Sequence, residues 1–358
     1  MPAGPVAGDG RSSGLVAALA GGAAPPGGHS VLRFHPLPEM EAGAPERAID
    51  ADQTNRSVIV GERLVVKWLI PPAPLPQPAP EFFAHLTAVG FTETARPYAA
   101  LTAPGAGGHG TLVALVTAYL PDAADGFDWC VTEAAAGRTG FAADLGRLAA
   151  DLHLALATPS PTFPEPVRHG DPGRLWEDRA AEALAEALEL TGGEDGAWLA
   201  GLAGRLRELV EPLGHAAETP RIRVHGDLHV GQILRWREGY AVIDFDGNPT
   251  VRGQDPYQPA ARDVAQLRTS LEHVAQVAIK RRGADPAAAV AWAASARESL
   301  LAAYRERLAE GGRPWLLEES LLGPFEIEQE CRELIYASRH LPRWRYAPMG
   351  VLRARFPS

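Results

Sequence analysis

Two carboxylate-containing motifs stand close together in a β-rich segment, residues 221–247, that interrupts a helical part of the chain. The first is His225-Gly226-Asp227-Leu228-His229, and the second is Ile243-Asp244-Phe245-Asp246-Gly247. Carboxylates can accept a proton from a hydroxyl group and can bind Mg²⁺, so both motifs suit phosphoryl transfer. Either motif alone is usually only a turn or a helix cap, and their joint occurrence favours catalysis.

A β-hairpin between the motifs would bring their carboxylates together. Apolar runs at residues 233–236 and 240–243, joined by a glycine-containing turn, are typical of two paired strands. Asp227 would precede the first strand and Asp244 would follow the second, with Gln232 at the same end. Phosphoryl transfer needs one carboxylate to orient the acceptor hydroxyl and take its proton, and further oxygens to hold Mg²⁺ on the nucleotide phosphates. The interval from Asp227 to Gln232 matches the Asp-to-Asn interval of the protein-kinase catalytic loop.

Lysine is rare in this chain, since the 34 Lys and Arg residues include only Lys67 and Lys280 as lysines. Lys67 lies near the end of a predicted strand, where kinases keep the lysine that contacts the α- and β-phosphates. A compact ammonium fits that place better than a guanidinium. The alternative is an ordinary strand lysine at a sheet edge. Glu81, which opens the following helix, is expected to pair with Lys67, although a carboxylate there also suits the helix dipole.

The composition limits the possible classes of protein. The chain has 358 residues, 46% of them hydrophobic, and a formal net charge of −10. This length suggests about two domains, and this composition excludes wholesale disorder. The negative charge argues against nucleic acids and anionic membranes as partners, because both attract basic surfaces. Two cysteines, Cys130 and Cys331, are too few for a disulfide framework. We find no targeting segment and expect a cytoplasmic monomer that binds small molecules.

The hydrophobic patterns predict an α+β protein with two lobes. The N-terminal part, residues 1–120, would be a cap segment followed by a β-rich nucleotide-binding lobe, with the first thirty residues loosely ordered or forming a small added layer. The remainder, residues 121–358, would be a helical lobe that contains the catalytic hairpin and the acceptor pocket. Strands are predicted at residues 30–34, 57–60, 64–70 and 111–120, and helices at 141–156, 175–190, 198–213, 261–279, 286–308 and 316–338.

The two motifs resemble those of the aminoglycoside phosphotransferase-like kinases. Within that family they are most similar to the maltokinase-like branch, which includes bacterial maltokinases and actinobacterial glucosamine kinases. The similarity extends to Gly231-Gln232, to Pro249, to Asp255-Pro256 and to Arg262-Asp263-Val264-Ala265, with weaker matches at Gln53-Thr54-Asn55-Arg56-Ser57, at Leu145-Gly146-Arg147-Leu148 and from Phe325-Glu326 onward. This resemblance implies a eukaryotic-protein-kinase-like fold, with ATP as substrate and Mg²⁺ as cofactor.

The resemblance also implies roles for particular residues. Asp227 would be the catalytic base, and Gln232 and Asp244 would bind Mg²⁺. Asp246 would either bind a second Mg²⁺ or only end the strand. A glutamine at the metal position departs from the asparagine of most kinases, but the maltokinase-like branch shares it.

Further residues are expected to bind the nucleotide. The segment from Gln53 to Ser57 resembles the phosphate-covering loop of maltokinase-like proteins, so Asn55 and Ser57 are candidates. Backbone groups of Ala118 and Leu120 would meet the adenine at the hinge. Asp263 is expected to brace the loop that follows Asp244.

The helical lobe is expected to supply the acceptor pocket. Glu326, Glu330 and Glu333 would share one side of a helix, which is either a solvated face or a surface for a cationic or hydroxyl-rich acceptor. Trp344 would stack on a sugar ring or pack in the core, and His229 would touch the sugar. The resemblance narrows the acceptor to a sugar, and the net acidity favours glucosamine, phosphorylated at its 6-hydroxyl. Maltose, phosphorylated at its anomeric hydroxyl, is the alternative, and an aminoglycoside antibiotic comes third.

Two other classes of function compete for the same residues. His225, Asp227 and His229 alternate along an extended segment and could bind zinc, which would make the protein a metal-dependent hydrolase. No other His/Asp cluster in the sequence completes such a site, and the zinc hypothesis leaves Asp244 and Lys67 unexplained. A kinase fold that only binds its ligands is the other class, and the complete set of kinase residues argues against it.

Overall fold

The structure is a computed structural model that describes residues 5–23, 28–41, 43–49, 56–105, 110–170, 172–216, 218–248 and 255–357. The chain divides into two compact units. The first consists of Met1–Ala123, Ser160–Phe163 and Trp236–Asp246, and the second of Ala124–Pro159, Pro164–Arg235 and Gly247–Ser358.

The first unit is built on a six-stranded antiparallel sheet. Its strands are β1 (Ser30–Arg33), β2 (Glu46–Ala48), β3 (Arg56–Val60), β4 (Leu64–Pro74), β5 (Pro97–Pro104) and β6 (Gly110–Ala118), and its helices are α1 (Arg11–Ala20) and α2 (Pro78–Val89). The strand order is β1-β5-β6-β4-β3-β2. Alternating apolar residues drive this pairing, because they bury one face of each strand.

Helix α1 belongs to the core of the first unit. Leu15, Val16 and Leu19 are buried in a cluster with apolar residues of the sheet. The carboxylate of Glu46 accepts hydrogen bonds from the backbone N–H groups of Gly8, Gly10 and Ser13, at 2.8, 3.2 and 2.7 Å. Of the two alternatives predicted for the first thirty residues, loose order is therefore wrong for α1, which forms an added layer whose apolar side completes the core.

Strand β4 is longer than its sequence predicts. It was expected to end at Ile70, before a proline-rich stretch, but it continues to Pro74 after an irregularity between Trp68 and Ala73. The strand lies between β3 and β6, and Lys67 is opposite Ser57 on one side and Leu115 on the other. Lys67 is therefore on an interior strand, which removes the sheet-edge explanation for this lysine.

The second unit is mainly helical. Its helices are α3 (Gly126–Ala135), α4 (Phe141–Leu156), α5 (Leu175–Leu190), α6 (Gly193–Val210), α7 (Ala260–Arg282), α8 (Pro286–Glu310), α9 (Leu322–Arg339) and α10 (Tyr346–Arg355). Strands β7 (Val167–Arg168), β8 (Arg221–Arg223) and β11 (Tyr257–Gln258) form a small antiparallel sheet in the order β11-β8-β7. The predicted hairpin is present as β9 (Ile233–Trp236) and β10 (Gly239–Val242), and the boundary between the units falls inside it, after Arg235.

Close helix packing forms the core of the second unit. Helix α4 packs on α8, α5 packs on α9, and α7 contacts both α8 and α9. A Cβ at Gly146 would lie 2.1 Å from the carbonyl oxygen of Leu300, so only glycine allows α4 to approach α8 this closely. In the described part of the chain, no helix combines the length and the apolar character needed to cross a membrane.

Candidate active site

The first unit brings together three of the predicted site residues. Lys67 Nζ donates hydrogen bonds to Asp244 Oδ1 at 2.6 Å and to Asp246 Oδ2 at 2.7 Å. Asp244 has a φ of 64°, in the left-handed region that residues other than glycine rarely adopt. Such a backbone conformation persists only where the surrounding structure enforces it, and it is often found at functional sites.

An aromatic anchor fixes the segment that carries the two aspartates. Phe245 is almost fully buried, and its ring lies 5.4 Å from that of Phe82 and 6.0 Å from that of Phe83, both on α2. Because Phe245 stands between Asp244 and Asp246, its burial holds both carboxylates in place. The Asp-Phe-Asp sequence is thus an apolar anchor flanked by two acidic side chains.

Burial and charge act in opposite directions on this cluster. Burial alone lowers the pKa of the Lys67 ammonium, but Asp246 and Asp244 raise it above its ordinary value. For Asp246, burial raises the pKa of the carboxyl, and the attraction of Lys67 opposes the shift without cancelling it. Lys67 therefore stays charged, whereas the Asp246 carboxylate is held at an energetic cost that a further cation would relieve.

The two aspartates fit the predicted role of Mg²⁺ ligands. Asp246 Oδ1 is buried and has no hydrogen-bond partner in the part of the chain that the structure describes. Mg²⁺ prefers carboxylate oxygens and commonly takes one or two from the protein together with substrate phosphates. An orphaned carboxylate oxygen beside Lys67 and Asp244 is therefore well suited to such an ion.

The other predicted nucleotide-binding residues are distributed around the sheet. Ser57 lies across from Lys67 on β3, whereas Asn55 is outside the described residues. The N–H of Ala118 donates to the carbonyl oxygen of Arg96 at 2.8 Å, so this N–H is already used within the protein. Leu120 follows two residues later and is buried.

The expected pairing of Glu81 with Lys67 is not observed. Glu81 lies in the first turn of α2. Among the described residues, the carboxylates that pair with Lys67 are those of Asp244 and Asp246. These two aspartates pair with the lysine although they lie 177 and 179 residues further along the chain. The local sequence around Lys67 could not indicate them.

In the second unit, Asp227 is held by two amide side chains. Gln266 Nε2 donates to Asp227 Oδ1 at 2.7 Å, and Asn248 Nδ2 donates to the same oxygen at 3.0 Å. Asp227 Oδ2 lies 3.9 Å from His229 Nε2. Neither amide was predicted. The only signal for Gln266 is its position three residues after Asp263, on the same side of α7.

The loop around Asp227 is fixed by hydrogen bonds to its backbone. Asp263 is fully buried and accepts from the N–H groups of His225 and Gly226 at 2.7 and 2.9 Å. The observed contacts of Asp263 thus include the loop before Asp227, whereas it was expected to brace the loop after Asp244. Gln232 ends a short 3₁₀ helix, Val230–Gln232, that follows this loop.

A cavity of about 500 Å³ in the second unit has Asp227 in its wall. Its lining combines the predicted base with two further carboxylates, Asp128 and Glu333, and with aromatic rings from several segments of the chain. The lining residues used below are Asp227, His229, Asn248, Gln266, His273, Gln329, Glu333 and Trp344, and three arginines, Arg281, Arg282 and Arg332, also contribute. The predicted contacts of His229 and Trp344 with an acceptor are compatible with these positions.

The predicted acceptor contacts of Glu326 and Glu330 are wrong. Glu326 is buried and paired with Arg268 and Arg297, each at 2.7 Å. Burial alone would raise its pKa, but Arg355, Arg297 and Arg268 hold it below its ordinary value. Glu330 is also buried, 3.1 Å from His273 Nε2, and neither glutamate lines the cavity. Glu333, one turn further along α9, does line it.

The zinc hypothesis is also wrong. His225 Nδ1 accepts a hydrogen bond from the N–H of Asp227 at 3.3 Å, and His229 Nδ1 accepts one from the N–H of Gly231 at 3.0 Å. Each ring therefore uses a nitrogen to shape its own loop. Within the described residues, no group of three or more His, Cys, Asp or Glu side chains is arranged to hold a metal ion.

Comparison with known proteins identifies the class. Residues 46–247 match the model of the Phosphotransferase enzyme family, APH. The chain belongs to this family, and the predicted kinase-like fold is confirmed.

Its similar relatives include two glucosamine kinases. The one from Streptacidiphilus jiangxiensis is 43% identical over 356 residues, which cover 95% of this chain and 80% of the relative. The one from Mycolicibacterium smegmatis (strain ATCC 700084 / mc(2)155) is 39% identical over 320 residues, covering 86% and 79%. A solved glucosamine kinase in complex with glucosamine, ADP and inorganic phosphate superposes with a TM-score of 0.80 at 39% identity, over 99% of this chain and 84% of that one.

Proposed function

We propose that this protein is a glucosamine kinase, which transfers the γ-phosphate of ATP to the 6-hydroxyl of glucosamine. The observation that carries the proposal is that one cavity contains both a positioned carboxylate, Asp227, and a second carboxylate, Glu333, beside the ring of Trp344. The similarity to two glucosamine kinase sequences and to one solved glucosamine kinase structure supports the same substrate.

Glu333 is suited to recognise the amine of the sugar. Its Oε1 accepts a hydrogen bond from Gln329 Nε2 at 3.0 Å, and its Oε2 accepts one from Trp344 Nε1 at 2.8 Å. Both donors are neutral, so they orient the carboxylate and leave its charge available to an ammonium group. Arg332, next to Glu333 in the sequence, is bound to Glu328, and the charge of Glu333 also contributes to the raised pKa of His273 in the same cavity. The ring of Trp344 offers an apolar surface for the sugar.

Asp227 is suited to act as the base. In the proposed reaction, the 6-hydroxyl oxygen forms a bond to the γ-phosphorus while the bond from phosphorus to the bridging oxygen of ADP breaks. The hydroxyl proton passes to Asp227. The amides of Gln266 and Asn248 orient this carboxylate without pairing its charge with a cation.

The residues of the first unit are suited to the nucleotide. Lys67 would bind the α- and β-phosphates, and Asp244 and Asp246 would hold Mg²⁺, with Gln232 remaining a predicted further ligand. When bound, Mg²⁺ neutralises charge on the phosphates. Ser57 and Asn55, together with backbone groups of Ala118 and Leu120, remain the predicted contacts to ATP. Location in the cytoplasm and a monomeric state also remain predictions.

The test is ADP release from MgATP with glucosamine, glucose, N-acetylglucosamine, maltose and kanamycin as acceptors. We expect the highest kcat/KM with glucosamine, because its free amine at C2 can pair with Glu333, whereas glucose, N-acetylglucosamine and maltose have no ionised amine there. Glu333→Gln should lower kcat/KM for glucosamine about 10- to 100-fold and bring it toward that for glucose. Preferential turnover of maltose or kanamycin would overturn the assignment of the acceptor.

The same assay also shows which hydroxyl of glucosamine receives the phosphate, when the product is identified. Glucosamine 6-phosphate is the expected product, and a 1-phosphate would overturn the 6-hydroxyl assignment while leaving the kinase assignment intact. Glu306→Gln, on the exposed side of α8, is a matched control that should leave the acceptor preference unchanged.

A further inference from the structure

Three side chains on one side of α7 hold the loop that carries Asp227. The further along α7 the side chain lies, the further along the loop is the residue that it contacts. Asp263 accepts from the N–H groups of His225 and Gly226, Gln266 donates to the side chain of Asp227, and Ser270 accepts from the N–H of Val230 at 3.1 Å. Spacings of three and four residues put these side chains on the same face of the helix. Three of these four hydrogen bonds fix the backbone, and only that of Gln266 reaches the carboxylate.

The contacts of Asp227 distinguish its two oxygens. Oδ1 accepts from Gln266 at 2.7 Å and from Asn248 at 3.0 Å. An ionised carboxylate only accepts hydrogen bonds, so each amide must turn its NH₂ group toward it. Two donors occupy the favourable directions around Oδ1. The proton of a substrate hydroxyl is therefore better received by Oδ2.

The surroundings of Oδ2 agree with this distinction. His229 Nδ1 accepts from the N–H of Gly231, so a neutral ring carries its proton on Nε2. Nε2 is 3.9 Å from Asp227 Oδ2, which is too long for a direct hydrogen bond. A Cβ at Gly231 would lie 2.7 Å from the His229 ring, so the glycine allows this ring position. A hydroxyl beside both atoms could donate to Oδ2 and accept from Nε2.

We propose that Gln266 is a positioning residue for phosphoryl transfer, which occupies Asp227 Oδ1 and thereby presents Oδ2 to the acceptor hydroxyl. Asn248 assists it on the same oxygen. Gln266 is 6% exposed and lies on a 23-residue helix. Its amide is therefore held rigidly, as is needed where a displacement of about 1 Å can lower a rate about 100-fold. This inference rests on the proposed role of Asp227 as the base.

The test compares Gln266→Met with wild type in steady-state kinetics. Methionine has a similar length and shape but cannot donate a hydrogen bond, so Asp227 loses its closest donor. We expect kcat to fall about 10- to 100-fold, with the KM values for glucosamine and ATP changed less than about threefold. An unchanged kcat would overturn the proposal. So would a raised KM for glucosamine at constant kcat, because Gln266 would then bind the sugar directly.

A double-mutant cycle separates positioning from a general structural role. If Gln266 acts through Asp227, then adding Gln266→Met to Asp227→Asn should change the residual rate less than about threefold. If the rate falls by the same factor in both backgrounds, Gln266 acts elsewhere and the proposal is wrong. Gln276→Met, on the same helix, is the control for the loss of a glutamine from α7 and should retain wild-type kcat.

The same experiments distinguish failure of this inference from failure of the proposed function. Absence of glucosamine-dependent turnover in wild type, or full activity of Asp227→Asn, would refute the function on which the inference depends. Glucosamine turnover that requires Asp227 but is indifferent to Gln266→Met would refute only the positioning role.

Discussion

The two units hold their aspartates in different ways. In the first unit, Asp244 and Asp246 share the ammonium of Lys67. In the second unit, Asp227 is held by the neutral amides of Gln266 and Asn248. A cation compensates negative charge, whereas an amide orients a carboxylate and leaves its charge in place. The first arrangement suits oxygens that must bind a metal ion near a lysine, and the second suits a base.

Charge and geometry therefore matter to different degrees around the two groups of aspartates. Around Asp244 and Asp246 the total charge matters, because phosphates and Mg²⁺ add further charges of both signs. Around Asp227 the direction of a single oxygen matters, because one proton must move along one line. Substitutions that keep shape but remove charge should therefore affect the two units differently.

The largest expected effect is that of Asp227→Asn. This change keeps the shape of the side chain and removes the proton acceptor, so we expect kcat to fall about 10²- to 10⁴-fold. Binding of MgATP, measured by calorimetry, should be retained, since Lys67, Asp244 and Asp246, which are proposed to bind it, are in the first unit. Asp144→Asn on the exposed side of α4 is the control. Loss of nucleotide affinity with preserved fold would contradict the role of Asp227 as base.

A smaller effect is expected for Asp244→Asn. Asparagine tolerates the left-handed backbone found here, so the substitution removes a charge and little else. We expect the Mg²⁺ concentration for half-maximal activity, titrated at fixed ATP, to rise about tenfold. Asp122→Asn is a closely matched control, because Asp122 is exposed, belongs to the same unit and has a φ of 57°. An unchanged Mg²⁺ requirement would contradict the proposed role of Asp244 as a metal ligand.

A third carboxylate, Glu330, has a partner that can lose its charge. Burial lowers the pKa of His273, but Glu330 and nearby glutamates outweigh it and raise the pKa to about 9. A histidine with a raised pKa stabilises the fold fully below its unfolded pKa of about 6.5, and this stability is lost as the pH rises through about 9. Burial also raises the pKa of Glu330, and a buried carboxyl with a raised pKa likewise lowers the stability of the fold as the pH rises.

The smallest expected effect concerns the stability of the fold, which should depend on pH through the His273–Glu330 pair. Between pH 6.5 and 9, the loss should be on the order of 1–3 kcal/mol, measured as a decrease in Tm. His273→Gln should flatten this dependence, because the titrating partner of Glu330 is gone. Comparison with wild type corrects for the buried cysteines, whose raised pKa values lower the stability only at the alkaline end of this range, as the pH approaches the ordinary thiol pKa of 9.0. An equal slope in both proteins would show that the pair does not titrate.

The sequence was informative where a single local pattern carries the chemistry. The two apolar runs between the motifs predicted the hairpin, which is present, and the membership of a phosphotransferase family that the motifs implied is confirmed. Helix α4 begins and ends at the residues that its apolar spacing predicts, Phe141 and Leu156. Such regular amphipathic patterns determine a helix with little help from distant residues.

The acceptor side was harder to predict because it depends on the rotation of a helix in its surroundings. Glu326, Glu330 and Glu333 share one stripe of α9, yet two are buried in ion pairs and one lines the cavity. Their partners come from α7, α8 and α10, which are far away in sequence. Gln266 was missed for the same reason, since its position three residues after Asp263 does not by itself show that its amide reaches Asp227.

The docking of α1 through Glu46 also has a practical consequence for anyone who shortens the chain. Starting the protein at about residue 30 would uncover the side of the sheet that contains Val58, Val66 and Val116, which α1 helps to bury. An apolar patch of this kind promotes aggregation. A shortened protein would lose solubility on concentration before its catalytic residues were affected, and low yield would then be mistaken for low activity.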